Sequence, residues 1–215
     1  MMNNPAPDVP KRALDARTQR THQALSAALV ALMLDRDFAE ITVQDVLDRA
    51  GVGRSTFYAH FRSKHDLLFS DAERFIGMLE AHFARTSPGS TRVAPLGELA
   101  AHVGAYSAFA SAIERSGHAD AMWDLCVGHF ARIIEGRLAV LAPARADDAL
   151  PREVGARVLA AAAISLLQWW MSRQAPITPE ELDGRFHQMA WRGVGGGAPN
   201  GRAVDGTAAP LSSAE

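Results

Sequence analysis

The stretch that most constrains the fold of this chain is Ile41 to Leu68, ITVQDVLDRAGVGRSTFYAHFRSKHDLL. Thr42 followed three residues later by Asp45 forms a capping box, so a helix is expected from Val43. Val43, Val46, Leu47 and Ala50 fall on one apolar face of that helix. Gly51 follows at once and supplies the left-handed residue that ends helices. Val52 is placed to tuck into the angle between two helices, and Gly53 lets the chain turn again. Arg54, Ser55 and Thr56 open the next helix, whose free N–H groups and positive dipole end suit phosphate. Phe57 and Phe61, four apart, face the core. Arg54, Ser55, Thr56, Tyr58, Ala59 and His60 are left on other faces. Ser63 with Asp66 reads as a second capping box, starting a longer helix at Lys64. Two short helices joined by a glycine turn make a helix-turn-helix, which suits placing a helix in the DNA major groove.

The run resembles the N-terminal DNA-binding domain of the TetR/AcrR family of transcriptional regulators. The residues that carry the resemblance are Thr42, Val43, Asp45, Val46, Ala50, Gly51, Val52, Phe57, Tyr58, His60, Phe61, Ser63, Lys64 and Leu67. It spans residues 14 to 70; beyond them only length and helical character agree. The resemblance implies a homodimeric repressor with an all-α fold: an N-terminal three-helix DNA-binding domain and a C-terminal helical bundle for ligand binding and dimerisation. It also implies a double-stranded DNA operator and a small-molecule effector as partners. Its recognition helix would be Gly53 to His60, with Arg54, Ser55 and Thr56 as base-reading candidates. Arg54 suits either guanine O6 and N7 or a phosphate. Thr42, Tyr58, His60 and Lys64 match positions that touch backbone phosphate in the family. Ala59 departs from the bulkier residue often found there, which means a weaker base contact or an apolar one with a thymine methyl.

Composition is compatible with this. The 215 residues, 48% of them hydrophobic, suffice for a sizeable core. The net charge of −2 is unevenly spread. Residues 1–65 carry nine Lys/Arg against seven Asp/Glu, and the remainder thirteen against seventeen. A locally basic head on an acidic body attracts phosphate over a Debye length. The one cysteine, Cys126, leaves no intrachain disulfide framework and reads as a small buried hydrophobe. No apolar run reads as a membrane span and MMNNPAPDVP does not read as a signal peptide, so a cytoplasmic location is expected.

Residues 1–13, Pro-rich and polar, read as a flexible arm, and 14–63 as the DNA-binding domain. The body is expected over 64–192 and a disordered Gly/Ala/Pro/Ser-rich tail over 193–215. Helices are expected near 15–34, 64–85, 96–115, 120–141, 151–173 with Pro151 in its first turn, and from Thr178 on. The bundle is the expected place for a largely apolar ligand. Candidate lining residues are Met78, His82, His102, Tyr106, Phe109, Trp123, Phe130 and Trp170, each of which also suits plain core. Trp169, Leu182, Phe186 and Met189 are expected at a dimer interface, with intramolecular core as the other reading. The eight histidines are scattered, without HExxH or CxxC spacing and without a phosphate loop after a strand, so neither a metal nor a cofactor is implied. The other reading of the chain is a helical ligand-binding protein or enzyme acting through the bundle without DNA.

Overall fold

The computed structural model describes residues 9–87, 89–142 and 151–195. Nine helices make up their regular structure, with a 3-10 turn at Phe38–Glu40. The head holds α1 (Val9–Asp35), α2 (Val43–Ala50) and α3 (Arg54–Tyr58). The body holds α5 (Leu96–Ala105), α6 (Ser107–Arg115), α7 (Ala119–Leu141), α8 (Arg152–Arg173) and α9 (Pro179–Gly195). Between them runs α4 (Lys64–Thr86).

Two apolar cores explain this division. In the head, Leu25, Leu29 and Met33 of α1 meet Val46 and Leu47 of α2, Phe57 of α3, and Phe38, Ile41 and Phe61. In the body, Phe130, Ile134 and Leu138 of α7 pack on Ala156, Ala160, Ala163, Ile164 and Leu167 of α8. The small residues of α8 let those two helices approach closely. Helix α4 serves both: Leu67 and Leu68 lie in the head core, Ile76 and Leu79 in the body core. Apolar residues on more than one side of this helix thus have two separate neighbours. Ala112 and Ile113 of α6 also enter the head core, so body and head share packed side chains.

Several boundaries differ from the sequence expectation. Helix α1 begins at Val9, so the part of the expected arm after residue 8 is helical; residues 1–8 lie outside the described residues. The helix expected over 96–115 is broken at Tyr106 (φ −115°, ψ 39°) into α5 and α6. Pro151 is the N-cap of α8, not a residue of its first turn. Helix α9 opens on the expected box: the Thr178 amide donates to Glu181 Oε2 at 2.9 Å and the Glu181 amide to Thr178 Oγ1 at 3.2 Å. It runs on through Gly195, past the expected tail boundary; 143–150 and 196–215 lie outside the described residues. Helix α8 also meets the length and composition of a membrane span, with mean hydropathy 1.3, contrary to the sequence reading. Its inward face is built into the body core.

Candidate nucleic-acid interface and ligand cavity

The turn between α2 and α3 forms as its residues dictate. Gly51 takes the left-handed conformation (φ 64°, ψ 33°), and its N–H donates to the Leu47 carbonyl. A side chain there would be strained. Gly53 is different: it is extended (φ −70°, ψ 150°), so no left-handed geometry demands glycine. Phe57 and Phe61 are buried and anchor α3 from beneath. Arg54, Ser55, Thr56, Tyr58, Ala59 and His60 are all exposed, as one continuous surface. The Arg54 guanidinium stands over the Tyr58 ring at 5.8 Å, which holds it beside the surface it shares with Ser55 and Thr56.

Two other expected contact residues are engaged within the chain. The Thr42 hydroxyl donates to Asp45 Oδ2 (2.7 Å) and accepts from the Asp45 amide (3.1 Å), while the Thr42 amide donates to the same carboxylate (2.7 Å). These Thr42 bonds, joined by Arg36 at 3.2 Å, hold the Asp45 carboxyl down to about 2. The hydroxyl proton is therefore committed to the cap. Lys64 Nζ donates to the carbonyls of Phe38 and Ile41, both at 2.6 Å, and lies 3.4 Å from that of Ala39. It also stands 4.5 Å from the centre of the Phe38 ring, and burial lowers its pKa. Lys64 ties the start of α4 to the 3-10 turn. The expected second capping box is half formed: Ser63 Oγ accepts from the Asp66 amide, but the Asp66 carboxylate accepts from Arg62 N–H, not Ser63.

An apolar cavity of about 430 Å³ lies where α1, α4, the α5–α6 break, α6 and α7 meet. Of the residues expected to line a pocket, Met78, His102, Tyr106, Phe109 and Trp123 do so. The kink at Tyr106 brings His102 and Tyr106 together, their ring centres 4.8 Å apart, and Phe75 stacks on His102 at 3.9 Å. Burial lowers the His102 pKa. Three expected residues lie elsewhere. Phe130 is fully buried core. His82 is exposed, and its carbonyl accepts from Thr86. Trp170 packs against Gly104, donates its indole N–H to the Ile177 carbonyl at 2.9 Å, and lines a separate open groove of about 960 Å³. Cys126 adds to the cavity wall; burial pushes its thiol up to about 11, consistent with an inert packing role.

Sequence reasoning missed the polar end of this cavity, formed by Ser26, Asp71 and Arg74. Ser26 Oγ donates to Asp71 Oδ1 at 2.6 Å, with His22 Nδ1 3.4 Å and Arg74 3.5 Å from the same oxygen. The only signal for it was a serine and a histidine four apart on α1, which is common on any helix.

Of the expected interface residues, Leu182 and Phe186 are wholly buried in the body core. They cannot meet a partner, because α9 turns that stripe inward against α5 and α8. Trp169 (46% exposed) and Met189 (52%) remain at the surface.

Comparison with known proteins agrees with the head and with the whole architecture. The profile described as "Bacterial regulatory proteins, tetR family" matches residues 25–70. The uncharacterized HTH-type transcriptional regulator YxbF of Bacillus subtilis (strain 168) is 30% identical over 78 residues, 36% of this chain and 20% of that protein. YerO of the same organism, likewise an uncharacterized HTH-type transcriptional regulator, is 39% identical over 49 residues, 23% of this chain and 17% of that protein. The chain thus matches about a fifth of the length of these curated relatives. The likeness of fold is wider: a TetR transcriptional regulator from Streptococcus agalactiae 2603V superposes with a TM-score of 0.58 at 24% identity, over 84% of this chain and 98% of that one. The helix-turn-helix head thus matches the TetR family of bacterial regulatory proteins, and the helical architecture shares the fold of a solved TetR regulator.

Proposed function

We propose that the protein is a sequence-specific DNA-binding transcriptional regulator that works in the cytoplasm as a homodimeric repressor, released from a palindromic operator by a largely apolar small molecule. The observation that carries the reading is the exposed surface of α3. Arg54, Ser55, Thr56, Tyr58 and His60 stand exposed above a buried Phe57–Phe61 anchor, on a short helix set between the capped helices α2 and α4. Rigidly placed donors of this kind suit base edges and phosphates. Thr42 and Lys64 act first as structural residues in this reading, and their contact with phosphate requires giving up bonds to Asp45 and to the 3-10 turn.

Dimerisation is supported by α8. Val154, Val158 and Trp169 are 41%, 58% and 46% exposed, and with Ala161 and Ser165 they form a stripe at helical spacing. Only 28% of the most apolar window of this helix is buried within the chain. Such a face gains by meeting its own copy across a two-fold axis. The cavity at the head–body junction supports ligand control, since its size falls within the range of small-molecule sites.

Arg54→Ala, measured across a panel of duplexes, tests the α3 surface. A base-reading Arg54 gives relaxed preference at one position per half-site and a cost of ~1–3 kcal/mol against the preferred base. Uniform weakening over all duplexes makes it a phosphate contact. Unchanged binding to every duplex removes Arg54 from the interface.

A further inference from the structure

The cavity has one end that differs from the rest. Its walls are almost wholly apolar, yet Asp71 and Glu114 line it, against Arg74 as the one cationic side chain in the lining. Asp71 stands at the seam between α1 and α4. Its hydrogen bond from Ser26 and its contacts with His22 and Arg74 all fall on Oδ1. The Arg74 contact, at 3.5 Å, is long for a charged hydrogen bond. His22 Nδ1, at 3.4 Å, is also long for a charged hydrogen bond, and burial, which raises the Asp71 pKa and lowers that of His22, disfavours charge on both. A carboxylate in an apolar pocket, underpaired in this way, gains from a cation that brings its own hydrogen-bond donors. The rings of Phe75, Tyr106, Phe109 and Trp123 line the same space and suit the apolar body of such a molecule.

We propose that this cavity selects an amphipathic primary amine, with its ammonium on Asp71 and its apolar body among these rings, and that filling it takes Asp71 from Ser26 and so loosens α1 from α4. The second half rests on the reading of the protein as a ligand-released DNA-binding regulator; the first half does not. The geometry makes the step direct. Ser26 and Leu29 belong to α1, and both line the cavity while α1 also carries the head core. An occupant therefore touches the DNA-binding head itself. The His22 carbonyl, 2.8 Å from Ser26 Oγ, is a second acceptor for its single hydroxyl proton, so Ser26 finds a partner when Asp71 is withdrawn.

The test uses the full chain and three probes with the same chain length: decylamine, decanol and decanoate, each well below its aggregation threshold. Binding is read from tryptophan fluorescence, since Trp123 lines the cavity, and from a thermal shift. The expected result is decylamine binding about tenfold or more tighter than decanol, with decanoate weakest. Asp71→Asn removes the amine preference and leaves decanol binding in place. Ser26→Ala, which frees the carboxylate, tightens decylamine. Equal affinity for the three probes, or a preference that survives Asp71→Asn with Ser26→Ala also without effect, overturns the proposal. The duplex enriched from random sequence then reads the second half. Decylamine that binds through Asp71 and weakens duplex binding supports the loosening of α1; the same binding with unchanged duplex affinity overturns it. A protein that enriches no duplex while still preferring the amine refutes the regulator reading, not the site.

Discussion

At the scale of single residues, the head is held by polar side chains that also look like contacts to DNA. Lys64 is the clearest case. Its three N–H groups are aimed at carbonyls of the 3-10 turn, and a buried carbonyl left without its donor costs stability. Lys64→Ala is expected to destabilise the head by about 2 kcal/mol, seen as a lower denaturation midpoint, with the salt slope of DNA binding unchanged. A slope reduced by about two per dimer with full stability retained would make Lys64 a phosphate contact instead. Thr42→Ala removes a cap and is expected to cost about 1 kcal/mol, while Thr42→Ser keeps most of the stability. Asp45 fixes the pH dependence. Its carboxyl sits at about 2 when folded, below its ordinary 3.8, so it binds its proton less readily in the native head than in the unfolded chain. Its contribution is complete above its unfolded pKa and is lost as the pH falls from about 4 through about 2. Acid denaturation followed by circular dichroism checks this: the low-pH loss is expected to shrink in Asp45→Asn.

At the scale of elements, the two outer helices of the body divide their duties by face. Leu182 and Phe186 of α9 are core, so Phe186→Ala is expected to cost about 3–5 kcal/mol through the cavity it leaves. Val158→Arg and Trp169→Arg change the exposed face of α8, and are expected to yield folded monomers by sedimentation. A dimer that survives both substitutions places the interface on another face. The head was legible in the sequence because its signals are local: the Thr42–Asp45 box, the left-handed Gly51 and the Phe57–Phe61 pair each act within a turn. The break at Tyr106 was not, since Ala105, Ser107 and Ala108 all tolerate helix and no proline stands there. It arises from tertiary packing, which lays α6 on the head core through Ala112 and Ile113. The inward face of α9 was hidden for the same reason: a stripe of Leu182, Phe186 and Met189 has helical spacing whether it meets the same chain or another. The cavity was legible only in part. Aromatic residues on α5, α6 and α7 could be named from composition, whereas the approach of α1, which brings Ser26 to Asp71 across the chain, has no local signature.

At the scale of the whole molecule, the body is not a passive weight on the head. Arg92, between α4 and α5, pairs with Glu98 of α5 and with Asp183 of α9 at 2.8 Å, and Asp183 Oδ1 also accepts from the Gly97 amide at 2.9 Å. His187 completes the set, with Nε2 accepting from the Ala94 amide and Nδ1 donating to the Asp183 carbonyl. These bonds fix α9 against α5. By contrast the head–body seam carries an apolar cavity, the Ser26–Asp71 hydrogen bond in its lining and longer contacts: His22 to Asp71 at 3.4 Å and to Ser70 at 3.5 Å, and Arg115 to Asp37 at 3.8 Å. Motion between head and body is therefore expected at that seam and not within the bundle, as a two-state change that an occupant shifts by its preference for one state. The central claim is that two such heads, joined through the exposed face of α8, read two half-sites on one duplex. Selection from random duplex DNA by the purified full chain at ~0.15 M salt tests it most directly. An enriched palindrome, with half-sites roughly one helical turn apart or at a related spacing, is the predicted result. A folded, dimeric protein that enriches no sequence would contradict it.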